Sequence, residues 1–241
     1  MAKNKLARFE ENAGFEHVLQ PDYKDVLNKD FHLKANWNNV FFKNNNPIVL
    51  ELGCGKGEYT VNLAQKFPNK NFIGIDIKGA RLWRGAKIAF EKKLNNVVFI
   101  RTRIDFIESF FCKDEVSEIW ITFPDPQPKR IKKRLSSTLF LTRYKNFLNE
   151  TGIIHLKTDS QLLYKYTKAL IHENKFIVNN SISDVYDDKD VPEELTSIQT
   201  FYEKQFLNEG KKITYLRFNL HNILPYVEPE EFNRKFAKEL L

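Results

Sequence analysis

The chain has 241 residues, of which 42% are hydrophobic and 14% aromatic, enough to bury one sizeable core, so a single α/β domain is the default. Its formal charge of +7 permits a polyanionic partner such as nucleic acid without requiring one. No apolar run approaches the roughly 18 residues of a membrane span, the first residues carry no apolar signal core, and Cys54 and Cys112 form neither a disulfide framework nor a metal-ligand spacing; no membrane, secretion signal or metal is expected, and a cytoplasmic location is.

Residues 1–46 are polar and aromatic by turns, with no clear strand, and read as an extension packed on a single domain spanning 47–241. From Pro47 a βα alternation begins. Strands are predicted over 48–52, 72–77, 97–101, 119–123 and 153–157, with weaker ones over 177–182 and 213–218. The first five are near-continuous apolar runs, as parallel strands covered on both faces must be. Between them, Leu82, Ala86, Ala89 and Phe90 recur at helical spacing within 78–93, and Leu139, Phe140, Tyr144, Phe147 and Leu148 do so within 136–148, behind Ser136 as a cap. A further helix is predicted over 161–175. Strands separated by such helices build βαβ units with right-handed crossovers. The expected fold is Rossmann-like: a mostly parallel seven-stranded sheet with an antiparallel pair on one edge and helices on both faces.

Glu51-Leu-Gly-Cys-Gly-Lys-Gly57 follows the first strand and opens a helix. Its glycines at 53, 55 and 57 allow positive φ and close approach of a ligand to the backbone. The spacing is G-x-G-x-G; the position where a dinucleotide fingerprint needs its third glycine is Glu58, and no phosphate-binding G-x-x-x-x-G-K-[ST] is present. Asp76 ends the second strand, where an acid accepts from ribose hydroxyls. A ribose-reading acid, a second acid at Glu51 and no phosphate cradle suit S-adenosylmethionine, a nucleoside carrying a sulfonium and an amino-acid end.

The fourth strand runs into Phe123-Pro-Asp-Pro-Gln-Pro-Lys129 and then Arg130-Ile-Lys-Lys-Arg134. Three prolines remove three backbone donors, so Asp125 sits on a stiff loop at a strand's C-terminal end, where open α/β folds place chemistry. Residues 126–149 hold seven Lys or Arg and no acid, which points to a polyanion. A proline-punctuated turn beside a solvated charge run is the alternative reading. Asp159 after the fifth strand is either a further acceptor or the N-cap of helix 161–175. His155 reads as a satisfied core histidine, Trp83 and Trp120 as packing residues, and Cys54 as a small residue in a tight loop.

Taken together, these motifs resemble the bacterial tRNA (guanine-N7)-methyltransferase family, over about 48–218. The resemblance rests on Glu51 to Gly57, Phe72-Ile-Gly-Ile-Asp76, Phe123-Pro-Asp-Pro-x-x-Lys129 with its basic tail, His155-Leu-Lys-Thr-Asp159 and Thr200-Phe-Tyr-Glu203. It implies methyl transfer from S-adenosylmethionine to N7 of a guanine in the tRNA variable loop (position 46 in tRNA numbering). It assigns Glu51, Gly53, Gly55, Gly57, Asp76 and Asp125 to the methyl donor, with Asp125 also catalytic. Lys129, Asp159, Thr200 and Glu203 fall on the guanine side, and Arg130, Lys132, Lys133 and Arg134 on the tRNA backbone. The chain departs from the pattern twice: Gln127 stands where the family has Trp, and Arg103 where it has an acid, so Asp105 becomes the candidate for the adenine end. A monomer and a homodimer both remain open. Rival readings are methylation of a protein amine or small molecule, which the basic run argues against, and a non-catalytic RNA-binding module, which intact Glu51, Asp76 and Asp125 argue against.

Overall fold

The computed structural model describes residues 2–239; Met1, Leu240 and Leu241, which the expected segments 1–46 and 47–241 include, lie outside the described residues. The elements are, in order, α1 (Ala2–Ala13), β1 (Val18–Leu19), α2 (Tyr23–Val26), β2 (Ile48–Leu52), α3 (Glu58–Lys66), β3 (Asn71–Asp76), α4 (Gly79–Glu91), β4 (Val97–Arg101), β5 (Val116–Thr122), α5 (Thr138–Lys145), β6 (Leu148–Thr158), α6 (Gln161–Glu173), β7 (Ile177–Ile182), α7 (Glu193–Ser197), α8 (Phe201–Asn208), β8 (Thr214–Asn219) and α9 (Glu230–Glu239). The strands form one sheet in the order β1-β4-β3-β2-β5-β6-β8-β7. β1 to β6 pair in parallel, and β8 runs antiparallel between β6 and β7.

The seven expected strands are all present. The eighth, β1, comes from the segment read as having no strand: two residues, Val18 and Leu19, pair with Phe99 and Ile100 at the sheet's edge. A two-residue strand is too short to leave an alternating pattern. The edge pair differs in one respect from a simple hairpin, because α7 and α8 intervene between β7 and β8.

Because strand side chains alternate between faces, each strand feeds two cores. Ile48, Leu50, Leu52, Ile73, Ile75, Val98, Ile100, Ile119 and Ile121 pack on one face with residues of α5 and α6. Val49, Phe72, Val97, Phe99 and Trp120 pack on the other with α3 and α4. The N-terminal segment serves both: Phe15 and Val18 join the second core, whereas Val26, Phe31, Leu33, Trp37 and Phe42 join the first. Trp37 is fully buried and donates its indole N–H to the Phe110 carbonyl at 2.9 Å, which satisfies its polar atom while its rings fill the core. On α4, Leu82, Ala86 and Ala89 are buried as the spacing predicts, but Phe90 is 60% exposed and packs its ring against Phe15. The cap of α5 is Ser137 rather than Ser136, whose hydroxyl instead pairs with Thr167 inside the core.

The order of the sheet positions the site. β2 leads to β3 on one side, while its other neighbour is β5, reached only after β4. The loops leaving the carboxyl ends of β2 and β5 therefore diverge at a topological switch point, where such sheets open a crevice. Those loops are the glycine loop and the Pro-Asp-Pro loop.

Candidate active site

A cleft of about 370 Å³ opens at this switch point, lined among others by Gly53, Asp76, Thr102, Arg103, Asp105, Gln127, Arg130, Lys133 and Leu135. Of the glycine loop, Gly53 lines it. Gly53 has φ +75°, and a Cβ built there would meet nothing closer than Leu135 at 3.8 Å, an ordinary contact, so its backbone is not crowded. Gly57 (φ +68°) is different, since a Cβ there would lie 2.7 Å from the Phe99 ring and 3.1 Å from Gly85. Gly57, expected on the methyl donor, thus has a packing role, because it lets α3 start against β4 and α4.

Asp76 is held by both oxygens. Gly55 donates its backbone N–H to Oδ2 at 2.9 Å, and Lys78 donates to Oδ1 at 2.7 Å. Glu51 sits beneath the loop, only 3% exposed. It accepts from the Thr60 N–H at 2.8 Å, the Thr60 hydroxyl at 2.5 Å and the Thr122 hydroxyl at 2.6 Å. Burial pushes its carboxyl up to about 7, against those three hydrogen bonds, with Asp76 adding to the rise. Thr60 and Thr122, which hold it, were not singled out from sequence; Thr122, a hydroxyl ending a buried apolar strand, is the one signal that was there.

Across the cleft, the Pro-Asp-Pro loop is strained. Phe123 and Gln127 adopt φ of +48° and +46°, uncommon for residues with side chains. Asp125 is exposed, and its Oδ1 accepts from the Gln127 N–H at 3.0 Å, an Asx-type turn that fixes the carboxylate on the loop. Gln127 lines the cleft, whereas Asp125, two residues before it, is not among the lining residues.

The basic tail divides. Lys129, Arg130 and Lys132 are exposed. Lys133 is exposed too, but its ammonium lies 3.2 Å from Asp105, which Arg103 also meets at 3.0 Å and Arg143 at 3.8 Å. Burial alone would raise the Asp105 carboxyl, but the hydrogen bonds from Arg103 and Lys133 prevail and hold it below its ordinary value. Arg103 and Asp105, weighed as alternatives, are thus partners on one wall. Arg134 corrects the expectation of a phosphate contact. It is 1% exposed, donates to the Pro126 and Pro128 carbonyls at 3.2 and 3.3 Å, and lies over the Tyr166 ring at 4.3 Å. Prolines cannot close their own turn with N–H groups, and Arg134 supplies the missing donors from behind.

Lys129, Asp159, Thr200 and Glu203, expected on the guanine side, are not among the residues lining this cleft. Thr200 and Glu203 form a capping box that starts α8. Glu203 is fully buried and paired with the equally buried Lys157 at 2.5 Å, with Tyr186 donating to the same oxygen at 2.8 Å. Lys157 also donates to the Tyr59 hydroxyl and the Leu195 carbonyl. Asp159 is partly buried and 3.6 Å from Lys211; burial raises its carboxyl. The N-cap of α6 is Ser160, whose hydroxyl accepts from the Leu163 N–H, so the N-cap reading of Asp159 does not hold. His155 is the core histidine expected, hydrogen-bonded to Tyr215 at 2.7 Å and stacked on Trp120.

A family model described as a putative methyltransferase matches residues 45–216. A tRNA (guanine-N(7)-)-methyltransferase of Christiangramia forsetii is 58% identical over 221 residues, covering 91% of this chain and 99% of its own. One from Bacteroides fragilis is 50% identical over 220 residues, covering 91% and 87%. Among solved structures, an antibiotic-related methyltransferase matches with a TM-score of 0.57 at 19% identity over 80% of this chain and 96% of that one. A 16S rRNA methyltransferase matches with a TM-score of 0.57 at 12% identity over 76% and 92%. At such identities the structures speak for the fold alone, that of S-adenosylmethionine-dependent methyltransferases. The matches in sequence go further, and by them the chain belongs to the bacterial tRNA (guanine-N(7)-)-methyltransferase family.

Proposed function

We propose that this protein transfers a methyl group from S-adenosylmethionine to N7 of a guanine in the tRNA variable loop, at position 46, in the cytoplasm. The observation that carries the reading is the convergence, at one switch point, of an uncrowded glycine backbone, two acids on β2 and β3, and a rigid carboxylate followed by exposed cations.

The residues present fit the donor. Gly53 leaves room for close approach, Asp76 has carboxylate lone pairs for ribose hydroxyls, and Glu51 lies where an ammonium would draw it into its ionised form. The Arg103–Asp105–Lys133 wall closes the remaining side, at the adenine end. When bound, S-adenosylmethionine supplies an activated methyl group on a sulfonium that leaves as a neutral thioether.

Guanine N7 is a lone-pair acceptor with no proton to remove, so the protein needs no strong base. The charge problem is different: the purine gains the positive charge that sulfur gives up. Asp125, fixed by its turn and by the loop that Arg134 braces, presents an exposed carboxylate two residues before the cleft-lining Gln127. There it accepts from the guanine N1–H and amino edge and stabilises the developing cation without reorganising. Lys129 and the exposed Arg130 and Lys132 hold the phosphates around it. Thr200 and Glu203 act at one remove, by setting the start of α8, whose Phe201 N–H is bonded to Glu58 beside the glycine loop at 3.0 Å.

Incubating the protein with unmodified tRNA transcript and the donor, followed by nuclease digestion and mass identification of 7-methylguanosine, tests the reading. A transcript whose variable-loop guanine is replaced by adenine is expected to stay unmethylated. Methylation of small amines or protein instead, with tRNA inert, would overturn the proposal.

A further inference from the structure

We infer that Lys56, Arg81 and Arg84, with Phe201 and Tyr202, form a second RNA-holding surface on the glycine-loop side of the cleft, taking a nucleotide next to the target guanine. The inference rests on the tRNA reading above and adds a surface that the basic tail does not include.

Phe201 is 46% exposed at the start of α8, held beside the glycine loop by its N–H bond to Glu58. The Lys56 ammonium sits 3.4 Å above its ring and 5.8 Å from that of Tyr202, and the Arg81 guanidinium lies 5.8 Å from Tyr202. The two rings meet edge to face at 5.6 Å. Arg81 and Arg84 are exposed on α4, and among the described residues neither has a carboxylate within ion-pair distance. Burial lowers the Lys56 ammonium, Glu58 opposes this, and the nearness of Arg84 and Arg81 adds to the lowering, so the three cations feel one another.

Three like charges gathered with only Glu58 to offset them repel one another, and an exposed ring there gains nothing from the core. Both features find a use if an anion carrying a planar ring arrives. Single-stranded nucleic acid has that chemistry: phosphates for the guanidinium groups and a base face for the aromatic. Methylating N7 within a folded tRNA requires the target base to be unstacked, which frees its neighbour to stack elsewhere. Phe201, with Lys56 over one face, offers that neighbour its remaining exposed surface, tied through Glu58 to the glycine loop.

Three variants test this after wild type has been shown to make 7-methylguanosine in tRNA. In Arg81→Gln/Arg84→Gln, the salt dependence of tRNA binding, followed by fluorescence anisotropy from 50 to 200 mM salt, is expected to flatten by up to about two in log–log slope. Phe201→Ala is expected to weaken tRNA binding roughly 5- to 100-fold at fixed salt, and Phe201→Trp to retain it. Calorimetric affinity for S-adenosylmethionine should stay at the wild-type value in all three. Unchanged slope and affinity, or a Phe201→Trp protein as impaired as Phe201→Ala, would overturn the inference while leaving the activity in place. Wild type that binds the donor yet leaves tRNA unmethylated would instead overturn the function on which it rests.

Discussion

Replacing Glu51 by glutamine removes one titration from the centre of the site while keeping the side chain's shape. The wild-type carboxyl is shifted from 4.5 to about 7 by burial. Between those values the folded protein binds a proton that the unfolded chain has released, so stability falls as pH rises through this window. A shift of this size corresponds to about 3 kcal/mol, at roughly 1.4 kcal/mol per pH unit. This contribution is fully retained below pH 4.5 and lost above about 7. Glutamine carries no such slope, and the Thr60 and Thr122 hydroxyls can turn to accept from or donate to an amide. Urea melts at pH 5 and pH 8 are therefore expected to show Glu51→Gln gaining about 2.5 kcal/mol on wild type across that interval. Donor binding has the opposite sense, because an ammonium beside Glu51 favours its ionised form. Wild-type affinity for S-adenosylmethionine should drop about tenfold from pH 8 to pH 6, relative to Glu51→Gln, by the same linkage. The ratio to the variant cancels titration of the donor's own amine. Parallel stability curves and parallel affinity curves for the two proteins would refute the placement of a neutral, ionisable Glu51 beside the donor.

Five further variants separate the roles assigned to the site. Asp125→Ala is expected to lower kcat by roughly 10²–10³, measured in single turnovers at saturating donor, whereas Asp76→Ala should act mainly on donor affinity and recover at high concentration. Arg134→Ala should lower stability by about 2–3 kcal/mol in urea melts, through lost hydrogen bonds from a charged group, while leaving the tRNA salt slope unchanged; Arg130→Gln/Lys132→Gln should do the reverse. Glu203→Gln, which leaves Lys157 buried without its counter-charge, should cost about 3–5 kcal/mol and show as a lowered Tm in the absence of any ligand.

The parts of the fold legible in the sequence were those set by local physics. The apolar runs of β2 to β5 marked buried parallel strands because both their faces are covered, and the side-chain alternation between two cores needs nothing beyond the pleat. The glycine loop, Asp76 and Asp125 could be placed at the carboxyl ends of β2, β3 and β5 because an apolar run shows where each strand stops. What the one-dimensional pattern lacks is direction. Lys132, Lys133 and Arg134 are consecutive cations, yet one is exposed, one is exposed but paired with an acid 28 positions away, and one is buried beneath the prolines. Only the turn of the loop decides among them.

Thr200 and Glu203 carry the same lesson from the other end. Their spacing is that of a capping box, a purely local motif, but the partner that makes Glu203 indispensable is Lys157, on a strand 46 positions earlier. A buried pair of this kind is destabilising to break and weak as a source of net stability, so its value lies in fixing where α8 begins. That start fixes Phe201 against Glu58, and Glu58 opens α3 directly after the glycine loop. The chain of contacts from Lys157 to the cleft thus gives a motif with no exposed chemistry a means of acting on the site: it locates the element that carries the exposed ring.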